Sequence, residues 1–99
     1  MADKLKIVAR VLPDGRPFAV TGREAQTLAA LVARGSRGVS GWDFPGGPPF
    51  RLSAYIHDLR RFGAPIAMVW ERHSGGRHGR FYLAGEVEIL ETLAGEAMQ

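Results

Sequence analysis

The most regular hydrophobic pattern in the chain lies in TGREAQTLAALVARG, residues 21–35. Its apolar residues recur at the spacing that places them on one face of a helix: Ala25, Leu28, Ala29, Leu31 and Val32. Thr21 and Glu24 match a capping box, in which each side chain binds a free backbone N–H at a helix start, and Gly35 suits the helix end. The pattern predicts a first helix over residues 22–34.

A second amphipathic segment, RLSAYIHDLRRFGAPI, covers residues 51–66. Its apolar residues fall at steps of three and four: Leu52, Tyr55, Ile56, Leu59 and Phe62. The opposite face carries arginines and a histidine. The segment predicts a helix over residues 51–62 that ends at Gly63.

The region between these two helices is short and rich in turn-forming residues. Ser40 and Asp43 can cap a short helix that contains Trp42 and Phe44, and the PGGPP segment that follows stops any helix. Val39 can make a short strand contact just before it. The sequence therefore predicts a brief middle helix between the two longer ones.

Alternation of apolar and polar residues predicts two hairpins. Residues 5–12 (LKIVARVL) and 17–20 (PFAV) flank the turn signal PDGR, although residues 3–11 are also compatible with a helix. Residues 66–72 (IAMVWER) and 80–84 (RFYLA) flank HSGGRHG, a polar and glycine-rich segment typical of a mobile hairpin tip.

The last segment, EVEILETLAGEAM, is predicted as a short amphipathic helix. Its inward face comprises Val87, Leu90 and either Leu93 or Ala94. Residues 86–99 carry a charge of −4 and contain no base, whereas residues 1–85 carry +7. An acidic segment beside a basic one can fold back on the basic surface and weaken the binding of nucleic acid.

The composition is that of an ordinary globular protein. A chain of 99 residues fits one domain, so we expect residues 1–99 to form a single domain. The absence of cysteine excludes disulfides, thiolate metal sites and cysteine nucleophiles. No apolar segment reaches the ~18 residues of a membrane span, and the N-terminus lacks the apolar core of a signal peptide. We expect a cytoplasmic protein with no membrane partner.

Arginine dominates the basic residues, with only Lys4 and Lys6 as lysines. The planar guanidinium can make two parallel hydrogen bonds to phosphate or guanine, which lysine cannot do. Six arginines lie within residues 51–80, against two acids, Asp58 and Glu71. A GC-rich genome would give the same arginine bias, so composition alone leaves both explanations open.

The order of the elements is helix, short helix, amphipathic helix and a two-stranded hairpin with a basic tip. This order, RLSAYIHDLRRFGAPI and the hairpin segment WERHSGGRHGRFYL together resemble the winged helix-turn-helix family over about residues 21–84. The resemblance implies an α+β winged helix-turn-helix domain of three helices and a β-hairpin wing. Here it would carry an extra N-terminal β-hairpin and a short C-terminal helix. In that family the third helix enters the DNA major groove and the wing contacts the backbone or the adjacent minor groove.

The resemblance makes the polar residues of the third helix and the wing candidate DNA contacts. The helix contributes Arg51, Ser53, Ala54, His57, Arg60 and Arg61. The wing contributes Arg72, His73, Arg77, His78 and Arg80. His57 can donate to an acceptor on a base edge, whereas Arg60 and Arg61 suit phosphate. Tyr55, Trp42 and Trp70 are expected in the core rather than in the interface.

The predicted function is binding of double-stranded DNA by a small bacterial or phage-type transcription regulator. A homodimer would extend the short site that one winged helix contacts. The alternative is a protein–protein interaction module without DNA affinity, whose basic face meets an acidic partner. Asp58 keeps that alternative open, because it adjoins His57 and would repel phosphate if it faced the groove.

No catalytic motif is recognisable in the chain. There is no G-x-S-x-G, phosphate-binding loop or H-E-x-x-H, so we expect no enzyme and assign no catalytic residue. The histidines have no carboxylate or thiolate at ligand spacing, so we expect neither a metal nor another cofactor.

Overall fold

The computed structural model describes residues 5–41 and 51–93, apart from the side chain of His73. Within these ranges the chain forms five strands, two α-helices and a 3-10 turn. They are β1 (Lys6–Val11), β2 (Phe18–Thr21), α1 (Gly22–Arg34), the 3-10 turn (Gly35–Arg37), α2 (Leu52–Arg61), β3 (Ile66–His73), β4 (Gly76–Leu83) and β5 (Val87–Leu93). The mixed helix and strand content agrees with the predicted α+β class.

Three strands form an antiparallel sheet in the order β2-β1-β5. The N-terminal hairpin is confirmed: β1 pairs with β2 from Lys6 opposite Thr21 to Ala9 opposite Phe18, and the alternative helix over residues 3–11 is wrong. Ile7 and Ala9 of β1 are buried, which is the alternation expected of a strand with one face on the core.

The predicted C-terminal helix is wrong, because residues 87–93 form β5 on the second edge of β1. Val87 and Ile89 pack against the core, and the Arg10 guanidinium binds the Glu88 carboxylate at 2.9 Å. The pairing satisfies backbone groups that a single hairpin would leave open on β1. This part of the acidic segment is therefore a strand of the fold and not a detachable tail.

Helix α1 has the predicted bounds and buries part of the predicted stripe. Ala25, Leu28 and Leu31 are buried, while Val32 faces solvent. The predicted capping box is not formed, because the Thr21 side chain makes no hydrogen bond at the helix start. The chain enters α1 instead through the backbone N–H of Gly22, which donates to the Leu5 carbonyl at 2.9 Å.

Helix α2 packs on α1. Leu52, Ile56 and Leu59 are buried as predicted, whereas Tyr55 is half-buried. The predicted burial of Phe62 is wrong, because 49% of this residue is exposed. Phe62 follows the last turn of α2 and stacks on Phe18, with ring centroids 5.5 Å apart. It covers the edge of the first sheet instead of entering the core.

The β3–β4 hairpin pairs from Ile66 opposite Leu83 out to His73 opposite Gly76. Strand β4 begins at Gly76 rather than at residue 80, so the hairpin tip is shorter than the predicted residues 73–79. Only Ser74 and Gly75 lie between the strands, which is the commonest hairpin loop length.

Val39 makes the predicted short strand contact, as an isolated antiparallel bridge to Phe81. Gly38 lets the chain approach β4 there. Its φ is +71°, and a Cβ at this position would lie 2.6 Å from the Phe81 carbonyl oxygen. Only glycine fits such a backbone approach without a shift of the strand.

One buried cluster joins both sheets and both helices, including Ile7, Leu28, Val39, Leu59 and Ile66. The described residues contain two α-helices, not the three predicted. The predicted short helix around Trp42 and Phe44 lies mainly in residues 42–50, outside the described residues. No helix within residues 5–41 and 51–93 has the length and apolar character to cross a membrane.

Candidate nucleic-acid interface

The polar face of α2 is continuous and exposed. It consists of Ser53, His57, Arg60 and Arg61, all solvent-exposed, on the side of the helix opposite the buried leucines. Arg51 is exposed at the N-cap, and Ala54 is half-buried at the margin of this face. Ser53, His57, Arg60 and Arg61 thus share one side of α2, with Ala54 at its margin, whereas Arg51 precedes the first turn of the helix.

Asp58 lies outside this polar face. Successive helix residues are rotated by about 100°, so the half-buried Asp58 points away from His57 and toward β2. There it lines an open cleft of about 490 Å³. The cleft is bounded by Ala19, Val20, Thr21, Glu24, Asp58, Arg61 and Phe62. The Asp58 carboxylate therefore does not lie beside His57 on the polar face.

Arg60 connects α2 to the hairpin. Its Nε and Nη2 atoms both donate to the Ile66 carbonyl oxygen, at 3.1 and 3.0 Å. Ile66 is the first residue of β3, so this double hydrogen bond links the end of α2 to the start of the hairpin. Arg60 consequently positions the two elements, and only its remaining N–H groups face solvent.

The β3–β4 hairpin has two chemically different faces, because directly opposite residues project to the same side. We call one the carboxylate face, formed by Val69, Glu71, His78 and Arg80. We call the other the indole face, formed by Met68, Trp70, Arg72, Arg77 and Gly79. The predicted wing residues are divided between them.

Glu71 organises the carboxylate face. Its Oε2 accepts from Arg80 Nε at 2.7 Å, and its Oε1 lies 3.1 Å from His78 Nε2. The hydrogen bond from Arg80, together with the nearby positive charges, holds the pKa of Glu71 below its ordinary value. Arg80 also donates to the Arg37 carbonyl at 3.3 Å, which ties the hairpin to the segment that follows α1. His78 and Arg80 are thus engaged within the protein.

The indole face presents an aromatic ring and two cations to solvent. The Arg77 guanidinium carbon lies 4.4 Å from the centroid of the Trp70 ring, within cation–π range. Arg72 stands directly opposite Arg77 in the register. Together with Gly76, these three residues border an open cleft of about 610 Å³.

Sequence reasoning missed the position of Trp70, which is 57% exposed and not in the core. Trp70 shares a face with buried Ile66, but the hairpin extends beyond the end of the core at this point. No local sequence pattern indicates where the core ends along the hairpin. His73 ends β3 opposite Gly76, so its backbone lies at the hairpin tip as expected.

A comparison with protein-family models matches residues 17–93 to a model described as a winged helix domain. The match runs from the start of β2 to the end of β5, and the protein belongs to the winged helix domain family. The resemblance seen in RLSAYIHDLRRFGAPI and the following hairpin is thereby confirmed, and we call β3–β4 the wing from here on. No curated protein and no solved structure shows significant similarity to the chain.

Proposed function

We propose that this winged helix domain binds double-stranded DNA through the polar face of α2 and the wing, as a small transcription regulator in the cytoplasm of a bacterium or in a phage-infected cell. The continuous exposed face of Ser53, His57, Arg60 and Arg61 on α2, with Asp58 at its edge beside β2, carries the proposal. Winged helix domains typically bind DNA, and a major groove admits one helix with such a face.

The contacts divide by chemistry. Ser53 and His57 lie at the middle of the polar face, where they would approach base edges, and Ala54 leaves room beside them. Arg51 and Arg61 flank the face and would bind phosphates, which fix the register of the helix on the duplex. Arg72 and Arg77 of the wing would bind phosphates farther along, with His73 at the tip.

Arg60 and Arg80 have a different role in this proposal. Both bind groups within the protein, so they would act on DNA mainly by holding α2 and the wing in place. His78, bound to Glu71, belongs with them. This division separates arginines that contact phosphate from arginines that position the interface.

Fluorescence anisotropy with a random-sequence duplex at about 50 and 200 mM salt tests the proposal. The variant Arg61→Ala/Arg77→Ala removes two exposed cations that make no hydrogen bond among the described residues. Its matched control, Lys6→Ala/Arg16→Ala, removes two exposed cations from the N-terminal hairpin. We expect salt-sensitive binding by the wild type and the control. The Arg61/Arg77 variant should bind more weakly, with a log–log salt slope shallower by up to about 2.

Absence of binding at low salt by the folded wild-type protein would contradict the proposal. Equal losses in both double variants would mean that net charge alone, and not the polar face and wing, determines binding.

A protein-interaction role is the second candidate. Leu90 and Leu93 of β5 are 45% and 40% exposed, which favours a protein contact on the first sheet, including pairing of two copies. A homodimer would present two α2 helices to paired half-sites. Sedimentation equilibrium of the wild type and Leu90→Ser tests the pairing of two copies, and a monomeric wild type would exclude that pairing.

A further inference from the structure

Trp70 occupies an unusual place for a tryptophan. It lies on the indole face of the wing with 57% of its surface exposed, opposite Gly79, which has no side chain to cover it. The Met68 thioether fills the space above Gly79 instead, where a Cβ would lie 3.2 Å from the sulfur. The Trp70 ring therefore remains largely exposed to solvent.

Arg72 and Arg77 add a second uncommon feature, because like charges directly opposite one another destabilise a strand pair. Neither guanidinium has an ion-pair partner in residues 5–41 and 51–93. No carboxylate shares the indole face, since Glu71 projects to the other side of the hairpin. An anion bound between the two arginines would offset their repulsion.

An exposed aromatic ring beside two cations is the combination that binds unpaired nucleotides. Bases stack on aromatic rings and on guanidinium planes, while cations bind the backbone phosphates. In an intact duplex the faces of the bases are stacked on each other. Arg72 and Arg77 could then bind phosphates, but no base could stack on the indole. The cleft of about 610 Å³ also falls within the ~300–1,000 Å³ of small-molecule sites.

We propose that the cleft between Trp70, Arg72, Gly76 and Arg77 binds an unpaired nucleotide of DNA next to the duplex held by α2. The base stacks on the platform made by the indole and the Arg77 guanidinium, and Arg72 binds the adjoining phosphate. The protein would accordingly prefer a duplex end, or a site where a strand is opened, over continuous duplex. This inference rests on the proposed DNA binding and specifies the DNA structure recognised.

Competition between two labelled DNAs tests the preference: a blunt duplex, and the same duplex with a short thymine overhang. Stacking contributes at least about 1 kcal/mol per base, which corresponds to about fivefold in Kd. We expect the wild type to bind the overhang DNA at least about fivefold more tightly. Trp70→Leu should lose this preference while keeping its affinity for blunt duplex, and Trp70→Phe should retain part of it.

Val69→Ala is the matched control, because Val69 is 45% exposed on the opposite face of the same strand. It should keep the full preference, and far-UV circular dichroism checks that each variant is folded.

Equal affinity of the wild type for both DNAs would overturn the inference but leave the duplex-binding proposal intact. Retention of the preference in Trp70→Leu would overturn it as well. Failure to bind either DNA would contradict both proposals. If a free single strand bound as tightly as the overhang duplex, the unpaired nucleotide would not need a neighbouring duplex on α2, which would contradict that part of the inference.

Discussion

Two pairs of arginines in the protein show how the surroundings of a side chain determine its role. Arg77 and Arg80 lie on the same strand, but Arg77 covers an exposed indole, whereas Arg80 binds Glu71 and the Arg37 carbonyl. On α2, Arg60 binds the Ile66 carbonyl, while its neighbour Arg61 borders an open cleft. Each pair contains one arginine that is hydrogen-bonded within the fold and one that makes no hydrogen bond to the described residues.

Substitution of the two neighbours on α2 should therefore have different effects. Arg60→Ala removes two hydrogen bonds to the Ile66 carbonyl and should lower the free energy of unfolding by about 1 kcal/mol. Arg61→Ala removes the same charge and should change it by less than about 0.5 kcal/mol. Urea denaturation of both variants measures the difference. Equal effects would show that the double hydrogen bond contributes nothing to stability.

Glu71 predicts a pH dependence of wing stability. The pKa of this carboxyl group is lowered in the folded state, mainly by the hydrogen bond from Arg80. Its stabilising effect is therefore present above the pKa of the unfolded chain and is lost as the pH falls through the folded value. Glu71→Gln should destabilise the protein near neutral pH, and the difference from the wild type should shrink as the pH falls through the lowered pKa of Glu71.

The control for this experiment is Glu91→Gln, which alters an exposed carboxylate on β5 that has no ion-pair partner in the described chain. Its unfolding free energy should follow that of the wild type across the same range. If Glu71→Gln lowered the free energy of unfolding equally at every pH, the packing of the Glu71 side chain, and not its charge, would be what stabilises the wing.

Replacing Gly22 and Gly38 distinguishes the cost of a positive φ from the cost of a steric clash. Both have positive φ, +71° and +61°, but only Gly38 has backbone within reach of an added Cβ. Gly22→Ala should cost about 1 kcal/mol for the backbone conformation alone. Gly38→Ala should cost more, because the new methyl group must displace the Phe81 carbonyl. Thermal unfolding of both variants provides the comparison, and similar losses would mean that β4 moves aside freely.

The sequence indicated which residues were chemically suitable for the interface but not how each is used. The helical spacing of Ser53, His57 and Arg61 predicted an exposed face, because spacing on a helix depends only on local geometry. The hydrogen bonds of Arg60 and Arg80 depend on the Ile66 carbonyl and the Glu71 carboxylate, which only the folded chain brings near. The exposure of Phe62 and Trp70 depends on where the core ends, and no local pattern contains that information.

Among the elements, β5 differs most from expectation. Its partner β1 is the central strand of the first sheet, with β2 on one edge and β5 on the other. The register shifts between Val8 and Ala9, so Ile89 lies opposite Ala9 and Glu91 opposite Val8, with Leu90 as the extra residue. Such a bulge interrupts the alternation of a strand.

The bulge explains why the segment resembled a helix. Val87, Leu90 and Leu93 are spaced by three, as on a helix face, yet the inward residues that contact the core are Val87 and Ile89. The helices were predictable because α1 and α2 keep one period throughout. The core end of the wing could be predicted from its alternating apolar residues. The full length of β4 could not, because the glycines and arginines at its start are typical of loops.

A pair of substitutions distinguishes a strand from a helix at this segment. Ile89→Ala should lower the free energy of unfolding by about 1–3 kcal/mol, since Ile89 packs against the core. Leu90→Ala should cost less than about 0.5 kcal/mol, because Leu90 is 45% exposed. Guanidinium denaturation of both variants measures the order of the two effects. The reverse order would indicate the helical arrangement.

Across the protein as a whole, the hydrophobic core ties together elements that belong to different parts of the chain. Ile7 and Val20 come from the first sheet, Leu28 from α1, Leu59 from α2 and Ile66 from the wing. Residues that contact a common core lose their packing together when any of these elements detaches. The prediction of a single domain over the chain thus has a direct physical test.

We expect one cooperative unfolding transition. Far-UV circular dichroism reports the helices, and tryptophan fluorescence includes Trp70 on the wing, so the two signals should change at the same denaturant concentration. Separate midpoints would show that the wing or the first sheet unfolds on its own. The expectation of one domain would then be wrong.

The pairing of β1 with β5 places Lys6 opposite Leu93. Directly opposite residues in antiparallel strands have Cα atoms only about 4.5–5.5 Å apart. A host protein could therefore carry residues 6–93 as a cassette inside one of its own surface loops, with both junctions at a single point. The same proximity would allow the two positions to be joined by a short linker and the chain to be opened elsewhere, which makes this small domain well suited to circular permutation.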